Sequence, residues 1–177
     1  GYALITPDHP GQILIHVHPD PQELGSVYRP DLALCADMAE FAESCALIDN
    51  DVLPFDAGKE AHREWLDWTQ PVPSAAKLDL AQCVMAMREQ LPADTVICNG
   101  AGNFSSWWHR YWPYEAFPSQ LAPTAGAMGY GLPAAVAAAL REPGRSVVAL
   151  AGDGDFLMSG QELATAVQYG CDLTVLV

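Results

Sequence analysis

The sequence predicts an α/β fold, a parallel sheet with helices on both faces, and three observations carry that prediction. Residues 146–151 are apolar throughout apart from Ser146, as in a parallel strand covered on both sides. A helical stretch and a second apolar run at 172–177 follow by short connections, the strand–helix–strand order that places parallel strands side by side. A matching unit precedes them: Leu80, Val84, Met87 and Leu91 recur on one side of a helix over 79–91, and the strand Thr95-Val96-Ile97-Cys98 comes next.

Taken in order, Ile-Leu-Ile-His-Val-His at 13–18 reads as a short strand, closed by the turn Pro19-Asp20-Pro21. Residues 31–48 contain Asp37, which reads as an N-cap, and Met38, Phe41, Ala42 and Cys45 behind it at helical spacing. From Asp49 to Ser74 the pattern dissolves into Asp, Pro and Gly, with Trp65 and Trp68 on a short amphipathic helix. The expected organisation is therefore the tail of one α/β unit at 1–50, a linker at 51–76 and a second unit at 77–177. In that second unit Pro92 stops the first helix, and the small-residue loop Asn99-Gly100-Ala101-Gly102 follows its strand. An Ala-rich helix covers about 131–140, with Pro133 in its first turn, where a missing N–H costs nothing. The next helix is expected to open at Ser159 with Glu162 completing a capping box, and to close at Gly170.

Composition limits the function. Eight basic against 22 acidic residues give a net charge of -14, which repels nucleic-acid backbones and anionic membranes alike. No run of about 18 apolar residues is present to cross a membrane. Five cysteines without a C-x-x-C pair suit free thiols in a reducing compartment, hence a cytoplasmic location, and not a disulfide framework. The chain opens without Met and closes inside an apolar run, so it is expected to be a piece of a longer polypeptide.

The most informative segment is Val148-Ala149-Leu150-Ala151-Gly152-Asp153-Gly154-Asp155-Phe156. In open α/β sheets ligands sit beyond the carboxyl ends of the strands, so Asp153 is expected in the crevice. Flanking glycines let a ligand approach the backbone. One carboxylate plus substrate phosphates is a common way to hold Mg²⁺, and so acidic a protein needs such a bridge to keep a diphosphate. Alone, G-D-G is equally a plain turn.

With Phe156, Met158 and Gly160-Gln161-Glu162-Leu163-Ala164-Thr165-Ala166 behind it, the segment resembles the thiamine-diphosphate motif of the acetolactate synthase-like superfamily. That motif ends, some thirty residues on, in paired asparagines after a buried strand; this chain stops just short of them. The likeness spans essentially the whole chain and is strongest over 124–177. It implies an incomplete thiamine-diphosphate-binding fold, preceded by the end of a Rossmann-like middle domain. Gly152, Asp153, Gly154 and Asp155 are then expected around the diphosphate, with Asp153 as the metal ligand. Relatives usually carry a small residue where Asp155 stands; a carboxylate there repels phosphate unless it faces solvent or shares the metal.

Residues 124–135, Thr-Ala-Gly-Ala-Met-Gly-Tyr-Gly-Leu-Pro-Ala-Ala, resemble the family's aminopyrimidine loop. Gly126, Ala127 and Met128 are then cofactor contacts. The Gly126 carbonyl is expected to accept from the 4′-amino group. Met128 is expected to contact the pyrimidine through its main chain and to wedge its soft thioether between the two rings, which gives both residues a part in catalysis. Gly102 and Asn103 are expected to offer main-chain N–H groups to the diphosphate, ahead of an aromatic helix beginning near Ser105. Many relatives carry Gln-His where this chain has Asn103-Phe104.

Several members bind the adenine end of FAD beside the strand at 13–18, using an acid about where His18 falls; an imidazole there argues against FAD. His16-x-His18 by itself resembles half a metal site, but no companion ligands follow. His9, His62 and His109 read as surface or loop residues. The resemblance implies a 2-oxoacid substrate, an acetolactate synthase-like carboligase or 2-oxoacid decarboxylase (a transferase or lyase), and a homo-oligomer whose active site lies at a subunit interface. The activating glutamate comes from an N-terminal domain of a partner subunit, so this stretch by itself is expected to be inactive. A catalytically silent module with the same fold is the alternative, and a flavin- or nucleotide-binding α/β protein a third reading. No nucleophile elbow, Walker loop or H-E-x-x-H is present.

Overall fold

The computed structural model describes residues 5–48 and 55–177, with side chains in the second stretch described from residue 58. The sequence readings of residues 1–4 and of 49–54 lie outside the described residues. The chain divides into two compact units, Gly1–Ala57 and Gly58–Val177.

In the first unit, β1 (Ile15–His18) and β2 (Leu32–Cys35) pair in parallel, with His16 opposite Ala33 and His18 opposite Cys35. Helix α1 (Met38–Ala46) follows, and Asp37 caps it by accepting from the Ala39 N–H at 2.8 Å. The helix and its Asp37 cap stand where the spacing placed them, while the strand before them was not read from the sequence. Leu-Ala-Leu-Cys forms a strand because its backbone groups find β1, and in so short an apolar run periodicity does not distinguish strand from helix. No described residue of this unit is buried.

Helix α2 (Phe55–Trp68) occupies the stretch read as a linker and is longer than the short helix expected there. Its last residue is held by α4 (Ser105–Tyr111): the Arg110 guanidinium lies 4.7 Å from the centre of the Trp68 ring, and its Nε donates to the Trp68 carbonyl at 2.7 Å. Helix α3 (Leu80–Gln90) is capped by Asp79, whose carboxylate accepts from the Ala81 N–H at 2.9 Å.

The sheet of the second unit is parallel throughout, in the order β4 (Gln120–Leu121), β3 (Val96–Asn99), β5 (Val147–Leu150), β6 (Thr174–Leu176). Every residue of β3 and β5 is buried. Alternation divides their side chains between two layers. Val96, Cys98, Val147 and Ala149 pack on α5 (Gly131–Arg141) and α7 (Glu162–Tyr169). Ile97, Val148 and Leu150 pack on α3 and α4 through Val84, Trp108 and Tyr111. Helices thus cover both faces. The two-residue β4 had no sequence signal, being too short to show any alternation.

A correction concerns the turn after β5. The sequence places a helix start at Ser159, but α6 (Asp153–Ser159) begins directly at Asp153 and Ser159 is its last residue. Gly152, extended at φ -77° and ψ 167°, makes the abrupt strand-to-helix turn. Gly160 then separates α6 from α7, and a Cβ there would fall 3.2 Å from both the ring and the carbonyl of Phe156. Glu162 makes no capping box; its carboxylate accepts from the Thr165 hydroxyl at 2.9 Å. Gly170 closes α7 in the left-handed conformation, φ 62°, as expected.

Candidate functional site

The two ends of this sheet are built differently. At the amino ends of the strands Arg145 ties three segments together: Nε donates to the Asp94 carbonyl at 2.5 Å, Nη2 to the Pro118 carbonyl at 2.6 Å, and Nη1 to the Glu142 carboxylate at 2.7 Å. The carboxyl ends are lined by glycines instead. Three segments far apart in sequence meet there: the loop after β3 at 100–104, the loop before α5 at 122–130, and the β5–α6 turn at 152–155.

Glycines permit that convergence. A Cβ on Gly131 would lie 2.7 Å from the Gly100 N and 2.8 Å from the Leu150 carbonyl oxygen, so α5 starts directly on the tips of β3 and β5. A Cβ on Gly154 would meet the Met128 methyl at 3.2 Å, placing the expected wedge residue over the β5–α6 turn. The Phe104 ring covers two further glycines, at 2.6 Å from a Cβ on Gly102 and 3.3 Å from one on Gly152.

Asp153 is exposed, at the first position of α6. One carboxylate oxygen accepts the Gly154 N–H at 2.8 Å, and no Lys or Arg pairs with it among the described residues. Gly126, Ala127 and Met128 are exposed in their loop, with Gly126 at φ 66° and Met128 at 44% exposure. Gly102 and Asn103 are exposed as well. Among the described residues no group of three or more His, Cys, Asp or Glu side chains clusters to hold a metal alone. Asp153 is a carboxylate at this edge that could ligate a cation together with ligand oxygens, the arrangement Mg²⁺ favours.

Asp155 departs from expectation. It does not face solvent: it is 2% exposed, its Oδ1 accepts the Gly129 N–H, and its Oδ2 is buried with no partner among the described residues. Sequence reasoning placed Gly129, Gly131 and Gly100 in the two loops but gave none of them a contact; their spacing was visible, their neighbours were not. It read His109 as a surface or loop residue, and the side chain is indeed exposed. His109 lies on α4, with Nε2 3.4 Å from Oδ1 of buried Asn99, and partial desolvation lowers its pKa. Buried Cys98 behind the loop has its thiol pushed up to about 12 by desolvation. In the first unit, Nδ1 of His16 accepts the Gly25 N–H at 3.2 Å and Nδ1 of His18 the Asp20 N–H at 3.0 Å, so both rings close turns.

Residues 100–177, which contain all three converging segments, match the family described as thiamine pyrophosphate enzyme, C-terminal TPP binding domain. Acetolactate synthase 2 (chloroplastic) of Zea mays is 32% identical over 161 residues, 85% of this chain. The chain is an acetolactate synthase-like member of the thiamine-diphosphate enzyme superfamily. Acetolactate synthase large subunit of Lactococcus lactis subsp. lactis (strain IL1403) is 27% identical over 179 residues, 93% of this chain. Among solved structures, the Rhodococcus jostii RHA1 thiamine diphosphate-dependent 4-hydroxybenzoylformate decarboxylase superposes over 94% of this superfamily member with a TM-score of 0.72 and 27% identity. A Mycobacterium smegmatis structure shares the fold at TM-score 0.70 and 23% identity. The chain spans between a quarter and a third of the length of these proteins, 25%, 29% and 31% of the first three. Among the described residues no helix is long and apolar enough to cross a membrane.

Proposed function

We propose that the carboxyl edge of this sheet holds thiamine diphosphate, that Asp153 binds the Mg²⁺ that bridges to its diphosphate, and that the protein uses the cofactor on a 2-oxoacid as an acetolactate synthase-like carboligase or 2-oxoacid decarboxylase. One observation carries the reading: loops at 100–104, 122–130 and 152–155 converge on one glycine-lined edge and leave Asp153 exposed, with no cationic partner among the described residues. With a net charge of -14, the surroundings favour a divalent cation at that carboxylate before any diphosphate arrives.

Each residue then has a task. Main-chain N–H groups at Gly102 and Asn103, and the glycines at 152 and 154, meet the diphosphate. The Gly126 carbonyl accepts from the pyrimidine amino group, Ala127 lines the ring, and Met128, over Gly154, supports the bend between the rings. Thiamine diphosphate when bound supplies a nucleophilic carbon and an electron sink for cleaving the bond beside a 2-oxo group. The activating glutamate is proposed to come from an N-terminal domain of a partner subunit, in a homo-oligomer with the site at the interface and a cytoplasmic location.

Calorimetric titration of the full-length protein with thiamine diphosphate tests the reading. Binding is expected with Mg²⁺ and not with EDTA, and Asp153→Ala is expected to weaken it at least tenfold, about 1.4 kcal/mol. Unchanged affinity in that variant counts against the metal role.

A further inference from the structure

Asp155 has no task in the scheme above, yet it occupies the centre of the convergence. Its carboxylate is 2% exposed on the face of α6 that carries Ser159 one turn later. Both Asp155 Oδ2 and Ser159 Oγ are buried with no hydrogen-bond partner among the described residues. Oδ1 accepts the N–H of Gly129 at 2.5 Å. Gly129 is a left-handed corner at φ +82°, and a Cβ on it would fall 3.0 Å from Met158 Cβ and 3.9 Å from Ser159 Oγ. The corner of the 122–130 loop therefore rests on α6. On the other side, a Cβ on Gly100 would overlap the Asp155 carboxylate oxygens. One carboxylate is wedged between the loop after β3 and the loop before α5.

Helix α6 starts at Asp153, so the residue that holds the Gly129 corner stands two positions from the proposed metal ligand. The strand-to-helix turn fixes both together. Any displacement of the corner moves Gly126, Ala127 and Met128 along with it, since they directly precede Gly129.

We propose that Asp155 is a positioning residue: by holding the Gly129 amide it sets the distance between the pyrimidine subsite at 126–128 and the diphosphate subsite at Asp153. The inference rests on the proposed cofactor site and adds to it the part that makes that site selective for the whole cofactor over its diphosphate end. A side chain that merely staples the fold would support both subsites equally.

Two ligands separate these roles. Inorganic pyrophosphate with Mg²⁺ probes the diphosphate subsite alone, and thiamine diphosphate with Mg²⁺ probes both. In the full-length protein Asp155→Ala is expected to weaken thiamine diphosphate by about tenfold or more while pyrophosphate stays within about twofold. Amide hydrogen exchange at Gly129 is expected to accelerate in the unliganded variant, with β3 and β5 still protected. Asp155→Asn keeps an oxygen for the Gly129 N–H and is expected to bind both ligands within about threefold of the parent. If the alanine variant does not fold, Asp155→Ser, whose hydroxyl is one atom too short to reach the amide, carries the same expectation. Parallel losses for both ligands, no loss for thiamine diphosphate, or an asparagine variant as weak as alanine each overturn the inference. A parent protein that binds neither ligand overturns the cofactor site instead.

Discussion

The two units of this chain put similar materials to different use. Each has parallel strands followed by a helix, yet in the unit ending at Ala57 no described residue is buried, whereas in the unit from Gly58 every residue of β3 and β5 is. Two layers of helix clamp those two strands, and the loops at their tips inherit fixed positions: Gly131 packs on the Gly100 and Leu150 backbones, and Asp155 is held between Gly100 and Gly129. The β1–β2 pair is closed by local bonds, such as the Asp31 carboxylate on the Leu14 N–H at 2.8 Å, with no described core behind it. A ligand crevice needs loops that cannot drift, and a doubly covered sheet provides them.

Substitutions at matched positions sharpen this contrast. Ile97→Ala, at a fully buried position in β3, is expected to cost about 2–5 kcal/mol in urea unfolding followed by circular dichroism. Leu32→Ala in β2, 48% exposed, is expected to stay within about 0.5 kcal/mol. Equal costs would mean that the strands of the first unit pack against a core just like those of the second. Gly131→Ala is expected to cost about 1–3 kcal/mol, because the added methyl meets backbone atoms that cannot swing aside. Gly144 at the far end of α5 has nothing within 4 Å of a Cβ, so the crowding around Gly131 belongs to the carboxyl edge and not to the helix as a whole. The smallest effect is chemical. Burial pushes the Cys98 thiol up to about 12, so at pH 8 it stays protonated as well as inaccessible. Iodoacetamide is expected to label exposed Cys35 and Cys45 in the native protein, and Cys98 after unfolding.

What the sequence disclosed follows the same division. The continuous apolar runs of β3 and β5 and the periodic faces of α3 and α5 announced the covered sheet, because burial on both faces leaves a strong pattern. G-D-G marked the strand-to-helix turn as the place to look for a ligand, and Asp153 stands exposed just past the tip of β5. Strand β2 escaped notice because four apolar residues carry no period, and its partner lies more than a dozen positions away. Helix α6 escaped because the Gly152 turn has no length to advertise it, and Ser159 with Glu162 imitated a cap. The role of Asp155 was not legible: a carboxylate beside G-D-G reads as solvent-facing or metal-sharing, and its bond to Gly129 spans 26 positions.

Asp153 is proposed to mark where a divalent cation and a diphosphate meet, and every other assignment at the carboxyl edge depends on that. A crystal structure of the full-length protein grown with thiamine diphosphate and Mg²⁺ tests it most directly. The expected result is a metal within about 2.0–2.1 Å of an Asp153 carboxylate oxygen and of diphosphate oxygens, with the pyrimidine beside Gly126 and Met128. A cofactor bound away from the carboxyl edge of β5, or a metal whose ligands exclude Asp153, would contradict it.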